Sequence, residues 1–329
     1  MIKAVKLSDF RNFRRKSFEF SNSITVVVGP NASGKTNILE SLFLLSTGKS
    51  FKANVEAEMI NYGKDLAKVK GDGLEAMITK GDNGWPRKRL LVNGVPKRLI
   101  DFAGIFRVVL FGPWDLDLVT ESPSLRRKFL DTVLSQVDRE YRRASLSYDK
   151  GLRQRNRLLL RIREEGLSRS QLLFWNQLLI KAGNYISEKR REFIDYVNKQ
   201  GKTTLDYDPS AISEGRLEQY KDEEVAAATT LVGPHRDDFV FFDNKRDLSK
   251  YGSRGEQRMA VLWLKLAELS FIEVKSGERP TLLLDDIFSE LDHQHRDVVM
   301  EIAGKQQTVI TTADEHFIKG LKPNDIIKL

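Results

Sequence analysis

Apolar and polar positions alternate from the first residues of the chain, in MIKAVKLSDF and again in KSFEF, and an unbroken apolar run follows in SITVVV. Alternation with period two predicts half-buried strands, and a short continuous apolar run predicts a strand covered on both faces. The polar FRNFRR between the first two reads as a turn. Spacing then becomes helical at Ile38, Leu39, Leu42, Phe43 and Leu45 and stops near Gly48, a frequent kind of helix end. Strand patterns return in LAKVKG, LEAMITK, KRLLV, VPKRLI and IFRVVLF, with Asn93-Gly94 as a hairpin turn. From Ser122 the helical period takes over: Leu125, Phe129, Leu130, Val133, Leu134, Val137 and Tyr141 recur at that spacing, and helical character lasts to about residue 200. Residues 202–230 are polar and mixed and predict nothing definite. Strand character resumes in DDFVFF; the small polar turn SRGEQ then opens a strongly apolar helix, and TLLLDD, a further helix and QTVIT complete the pattern. This order predicts an α/β protein whose two chain ends, residues 1–121 and 228–329, build one head around an inserted, mainly helical lobe at 122–227.

Composition narrows the function classes. The 329 residues are 40% hydrophobic and 30% charged, enough to bury a sizeable core and outside the range of disorder. No stretch approaches the ~18–20 apolar residues of a membrane span, and the N-terminus lacks the apolar core of a secretory signal. A cytoplasmic protein without a membrane partner is expected. With no cysteine and four scattered histidines, disulfides, thiolate metal sites and cysteine nucleophiles are excluded and any metal is expected to be a hard ion on oxygen ligands. The formal net charge is +8, and residues 125–163 alone hold twelve Lys or Arg against four acids, equal to the whole excess. Such a run either neutralises an anionic polymer such as DNA or is the solvated face of a helix. Arg139, Arg142, Arg143, Arg153, Arg155 and Arg157 are the candidates for sequence-independent contact with double-stranded or gapped DNA. Aromatic residues are not regularly interleaved with them, so no base-stacking platform is expected.

GPNASGKT at 29–36 fits G-x-x-x-x-G-K-[ST] between a predicted strand and a predicted helix. Glycines let successive backbone N–H groups point into one concavity, and the helix start adds positive potential for phosphate. The expected nucleotide set is Gly29, Pro30, Asn31, Ala32, Ser33, Gly34, Lys35, Thr36 and Asn37, with Lys35 reaching the β- and γ-phosphates and Thr36 offering its hydroxyl to Mg2+. TLLLDD supplies the acidic partner: Asp285 to hold Mg2+ and Asp286 to polarise the attacking water, unless the two acids only cap the next helix. ATP and Mg2+ are the expected cofactors, and Lys35 and Asp286 the catalytic pair.

SRGEQ, with Ser253, Arg254, Gly255, Glu256 and Gln257, offers a second helix start suited to an anion. Alone it is a common polar turn. In the order phosphate loop, SRGEQ, acidic pair, SELD, the chain resembles the ATP-binding-cassette family, whose signature segment closes over the γ-phosphate held by a second subunit. Ser289 and Asp292 of SELD resemble that family's D-loop at the dimer seam. The resemblance implies an ABC-type ATPase head, with a mixed sheet bearing the phosphate loop, an antiparallel β subdomain and an inserted helical lobe, and an ATP-dependent homodimer.

Within that class, IKAVKLSDFRNF, GPNASGKTNILESL, LFGPWDLDLVTESPSLRRKFLDTVLSQVDREY, VGPHRDDF, GEQR and LLLDDIFSELD resemble the RecF family of bacterial recombination mediators, over most of the chain but little of 165–230. This resemblance implies a head like those of the SMC and Rad50 ATPases with a compact helical lobe in place of a coiled coil. It further implies binding to DNA at gaps or junctions, slow DNA-stimulated ATP hydrolysis that releases the dimer, and work with RecR and RecO in loading the recombinase. Asp286 stands where many cassette ATPases carry Glu, Arg254 where a small or amide residue is commoner, and Ala32 where glycine is frequent. Thr312 is the nearest counterpart of a switch histidine, and no Q-loop glutamine can be assigned. The alternatives are a transporter cassette ATPase or another SMC- or Rad50-like repair ATPase.

Overall fold

Strands β1 (Ala4–Phe10) and β2 (Phe13–Glu19) form a hairpin turned by Arg11 and Asn12 alone, with Phe10 opposite Phe13. The expected turn FRNFRR is therefore partly strand: Arg11 takes the tight bend at φ 52°, and Arg14, Arg15 and Lys16 stay exposed on β2 at a sheet edge, where charge is compatible with pairing. The computed structural model describes residues 1–81, 85–201, 203–289, 293–314 and 325–329. Packing divides the chain into two units, Met1–Asp115 with Ile272–Leu329, and Leu116–Phe271.

In the first unit the hairpin opens a six-stranded antiparallel sheet of order β2-β1-β4-β5-β6-β7, with β4 (Leu66–Gly71), β5 (Leu74–Thr79), β6 (Arg87–Val92) and β7 (Val95–Lys97). Its inner face presents buried Val5, Leu7, Val69, Ala76, Ile78 and Leu90 toward helix α1 (Lys35–Thr47). The second sheet is wholly parallel, of order β14-β3-β13-β12-β8, with β3 (Ile24–Val28), β8 (Val108–Phe111), β12 (Thr281–Asp285), β13 (Thr308–Thr312) and β14 (Ile326–Lys328). Strands of such a sheet are covered on both faces and read as continuous apolar runs, which is why ITVVV and TLLLD stood out. Strands from the two chain ends lie side by side in it.

The second unit contains helices α2 (Pro123–Val137), α3 (Arg139–Glu165) and α4 (Leu173–Asn198), a small antiparallel sheet β11-β10-β9, and α5 (Arg254–Ser276) as far as Phe271. Its strands are β9 (Thr203–Asp208), β10 (Asp238–Asp243) and β11 (Arg246–Asp247). Pro123 opens α2 and Asp138 caps α3 by accepting from the Tyr141 amide at 2.9 Å, both favoured starts. The unpredicted segment 202–230 holds β9 and two short helices, Glu214–Gln219 and Lys221–Ala227. By packing, residues 228–271 belong with the helices and not with the parallel sheet, because β10 pairs along its length with β9 and Arg126 on α2 grips Asp238 at 2.6 and 2.9 Å. Helix α6 (His293–Ala303) follows β12 in the first unit. No described helix is long and apolar enough to cross a membrane.

VGPHRDD, residues 232–238, makes the polar centre of the second unit. Asp237 is fully buried and accepts from Tyr207 (2.5 Å), the Ser210 amide (2.8 Å) and Arg190 (2.9 Å); Arg190 also reaches Asp131 at 2.9 Å. His235 lies between the Tyr148 hydroxyl (2.8 Å) and the Thr230 carbonyl (3.0 Å), and burial holds its pKa below the ordinary imidazole value. Gly233, at φ 129°, lies under Tyr148, whose hydroxyl a Cβ would meet at 2.1 Å. A buried polar group costs stability unless bonded, and the buried groups of this phrase find their partners on α3, α4, β9 and the segments beside them.

Candidate nucleotide site

The phosphate loop joins β3 to α1 at the carboxyl end of the parallel strands, where α/β sheets bind ligands. Gly34 is the left-handed N-cap of α1 at φ 110°, and a Cβ there would meet Asn12 at 2.6 Å and Phe13 at 2.7 Å. No side chain caps α1 and no acid lies in its first turn, so its positive end remains open to an anion. Pro30, Asn31 and Ala32 form the exposed tip. Ala32 has φ 65°, a conformation that costs a non-glycine residue roughly 1–2 kcal/mol and explains why glycine suits that position. Lys35 is folded back on the loop, donating to the carbonyls of Gly29 (2.7 Å) and Pro30 (3.0 Å). An ammonium held by two neutral carbonyls can exchange them for phosphate oxygens, which bind it more strongly.

Register brings the acidic strand to this loop: Asp285 on β12 is opposite Thr311 on β13, which is opposite Val27 on β3. Thr36 Oγ1 donates to Asp285 at 2.8 and 3.1 Å, and Thr311 Oγ1 donates to it at 2.5 Å. Asp285 is 4% exposed, and among the described residues no Lys or Arg pairs with it. A buried carboxylate without a counter-charge calls for a cation, and the carboxylate with the Thr36 hydroxyl forms an oxygen donor set suited to Mg2+. The Ser33 hydroxyl is buried in the loop with no hydrogen-bond partner, a further polar atom that a bound anion could satisfy. The residues therefore fit Mg2+ with a polyphosphate. Asp286, the next residue, is half-buried at φ 50°, with its amide on the Thr311 carbonyl at 3.1 Å. The carbonyl of Thr312 accepts the Gly29 amide at 3.4 Å, tying the end of β13 to the loop.

The sequence reasoning missed Asn12 and Arg11. Asn12 donates to the Ser33 carbonyl (2.9 Å) and accepts from Asn37 (2.8 Å). Arg11 holds the fully buried Glu40 of α1 with two bonds of 2.8 and 2.6 Å. The first hairpin thus braces both the loop and the helix that follows it. The available signal was a polar Arg-Asn pair at a two-residue turn between two alternating strands.

In the second unit Ser253 and Glu256 form a reciprocal cap at the start of α5, the hydroxyl accepting the Glu256 amide (3.3 Å) and the carboxylate accepting the Ser253 amide (2.7 Å). That amide, then Arg246, push the Glu256 pKa down to about 2. Gln257 is buried and donates to the Leu248 carbonyl at 2.8 Å, whereas Arg254 is exposed. A Cβ at Gly255 would meet nothing within 4 Å, so the chain's own packing does not demand glycine there. Ser289 ends a single helical turn, Ile287–Ser289, and Asp292 lies outside the described residues.

The basic candidates separate by helical phase. Arg139, Arg143, Arg153 and Arg157, with Lys150, are exposed along one side of α3. Arg142 is half-buried and donates to the Ser135 carbonyl at 2.5 Å. Arg155 is 2% exposed and bonded to Glu224 (2.6 Å), Asn176 (2.7 Å) and Thr230 (2.8 Å). The expectation that it meets DNA phosphates is corrected: it lies on the inward stripe with Tyr148, Gly151 and Leu159.

Residues 1–93 match the RecF/RecN/SMC N terminal domain family. The chain is 34% identical to the DNA replication and repair protein RecF of Agathobacter rectalis, covering 97% of this chain and 94% of that one. It is 39% identical to the protein of the same name from Halothermothrix orenii, covering 95% and 92%. Among solved structures it is similar to the recombination mediator protein RecF-ATPrS in the RecFOR pathway, with a TM-score of 0.89 at 30% identity over 100% of this chain and 97% of that one. The RecF-ATP structure of the same pathway gives 0.87, again at 30% identity, over 95% and 92%.

Proposed function

The chain belongs to the RecF family of DNA replication and repair proteins, and from that premise we propose that it is an ATP-gated dimeric clamp on DNA, a weak DNA-dependent ATPase of the cytoplasm. The observation that carries the reading is the buried, uncompensated Asp285 carboxylate bonded to Thr36 beside the phosphate loop. The loop amides and the open end of α1 bind the polyphosphate, and Lys35 leaves its two carbonyls for the β- and γ-phosphates. Thr36 and Asp285 would hold Mg2+, which neutralises the charge that develops on the phosphates. Asp286 orients and polarises the attacking water; as the shorter acid it holds that water less closely than Glu would, which suits slow turnover. Ser253 and the bare backbone of Gly255 from a second copy cover the γ-phosphate, with Ser289 and Asp292 at the seam. The open space around Gly255 supports this assignment. Arg139, Arg143, Arg153 and Arg157 neutralise DNA phosphates without reading sequence. The RecFOR pathway named for the similar structures supports RecR and RecO as partners.

The test is Ser253→Arg, at an exposed position where the lost cap hydroxyl costs about 1 kcal/mol, with the thermal midpoint as the control for folding. ATP binding is retained and ATP-induced dimerisation, read by light scattering with and without ATP and Mg2+, is lost. A variant that still dimerises on ATP removes the trans assignment. ATPase activity indifferent to DNA in the unmodified protein would favour a transporter-like cassette instead.

A further inference from the structure

The antiparallel sheet has an outer face that none of the nucleotide chemistry uses. With Val5, Leu7, Val69, Ala76 and Ile78 turned inward, strand alternation turns their neighbours outward, and register sets them in rows. Lys6 is opposite Lys70; Ser8 is opposite Arg15 on one side and Lys68 on the other; Met77 is opposite Arg89, and Thr79 opposite Arg87. Six cationic side chains therefore share this face. Glu75 is its central acid and is spent on Lys68 at 2.8 Å. Lys6, Arg15, Lys70, Arg87 and Arg89 are exposed and, among the described residues, have no carboxylate partner. A count along the sequence hides this surface, since the basic positions come from four strands and are interrupted by inward apolar residues.

We infer that this face is a second contact surface for the phosphate backbone of duplex DNA, separate from the basic side of α3. It rests on the reading of the protein as a DNA binder. From β2 to β6 the sheet advances four strand spacings, about 19 Å, over which a duplex presents about eleven phosphates; six cations across that width suit a regular polyanion. A protein partner would want a charge-depleted, apolar centre, whereas the centre here is Lys68, Lys70 and Glu75, with Met77 half-buried. Contacts from these Lys and Arg to phosphate oxygens carry no base information, so the contact is sequence-independent.

The test uses the full chain and a blunt duplex of mixed sequence. One variant is Arg15→Ala with Arg87→Ala and Arg89→Ala; the comparator is Arg139→Ala with Arg153→Ala and Arg157→Ala. Affinity is measured across a salt series, with thermal midpoint and ATP binding as controls. The sheet variant is expected to keep both controls and to lower the slope of log K against log salt by about 2 to 3, near 0.9 for each lost phosphate contact. Should the triple variant unfold, Lys6→Glu alone is expected to lower the slope by about 1. An unchanged slope in a folded variant overturns the inference, also if an acidic protein then proves to bind this face. If the unmodified chain binds no duplex at any salt concentration, the functional reading itself fails, which the comparator makes plain.

Discussion

Arg155→Ala separates a structural guanidinium from an exposed one, proposed to meet DNA, two residues away. Arg155 makes three bonds of 2.6–2.8 Å, and Glu224, its ionic partner, is 0% exposed. Truncation leaves that carboxylate buried with the Leu231 amide, 2.8 Å away, as its remaining donor. Breaking a buried ion pair from one side costs about 3–5 kcal/mol. In a unit the size of residues 116–271 each kcal/mol is worth about 2–4 °C, so the midpoint should fall by roughly 6–20 °C. Arg157→Ala, on the exposed side of the same helix, should change stability by less than about 0.5 kcal/mol and lower DNA affinity and the salt slope. Replacing both partners, Arg155→Met with Glu224→Met, should recover most of the loss, because no lone buried charge remains. Thermal unfolding by circular dichroism and a salt titration of duplex binding read both effects. Arg155→Ala that melts with the unmodified protein and loses DNA affinity as Arg157→Ala does would refute the reasoning.

Asp286→Asn should slow ATP turnover by at least about a hundredfold, the lower end of what a general base contributes, while ATP-induced dimerisation persists. Asn tolerates the φ of 50° at that position, so a loss of both properties would point to a different role. Glu256 has a folded pKa of about 2 against an ordinary 4.5. Its cap on α5 is therefore complete above pH 4.5 and is lost as the pH falls through about 2. A carboxyl titration by NMR should show this low midpoint, and Arg246→Ala should raise it; a midpoint near 4.5 in the unmodified protein would contradict the capping geometry.

Legibility in the sequence followed the range of the interactions involved. GPNASGKT could be placed because its strand, loop and helix are contiguous, and TLLLDD because a strand covered on both faces needs an unbroken apolar run. Asn12 could not be placed, since its role exists only once the hairpin returns to the Ser33 carbonyl and Asn37. The attachment of 228–271 to the helices rests on the β10–β9 ladder, a long-range pairing with no local signature.

Charge shows the same limit from both sides. Counting found the basic density of 125–163 but could not separate Arg155 from Arg153 and Arg157, although phase could: Arg155 follows Tyr148 by seven residues and precedes Leu159 by four, which places it on the inward stripe. On the antiparallel sheet a count fails for the opposite reason, because cations from separate strands become neighbours only through register. An ionisable side chain acquires a function from the face it occupies, and period and register assign the face. A cation on an inward stripe must find a carboxylate, as Arg155 finds Glu224 and Arg190 finds Asp237, whereas a cation on an outward row without one remains available to a phosphate.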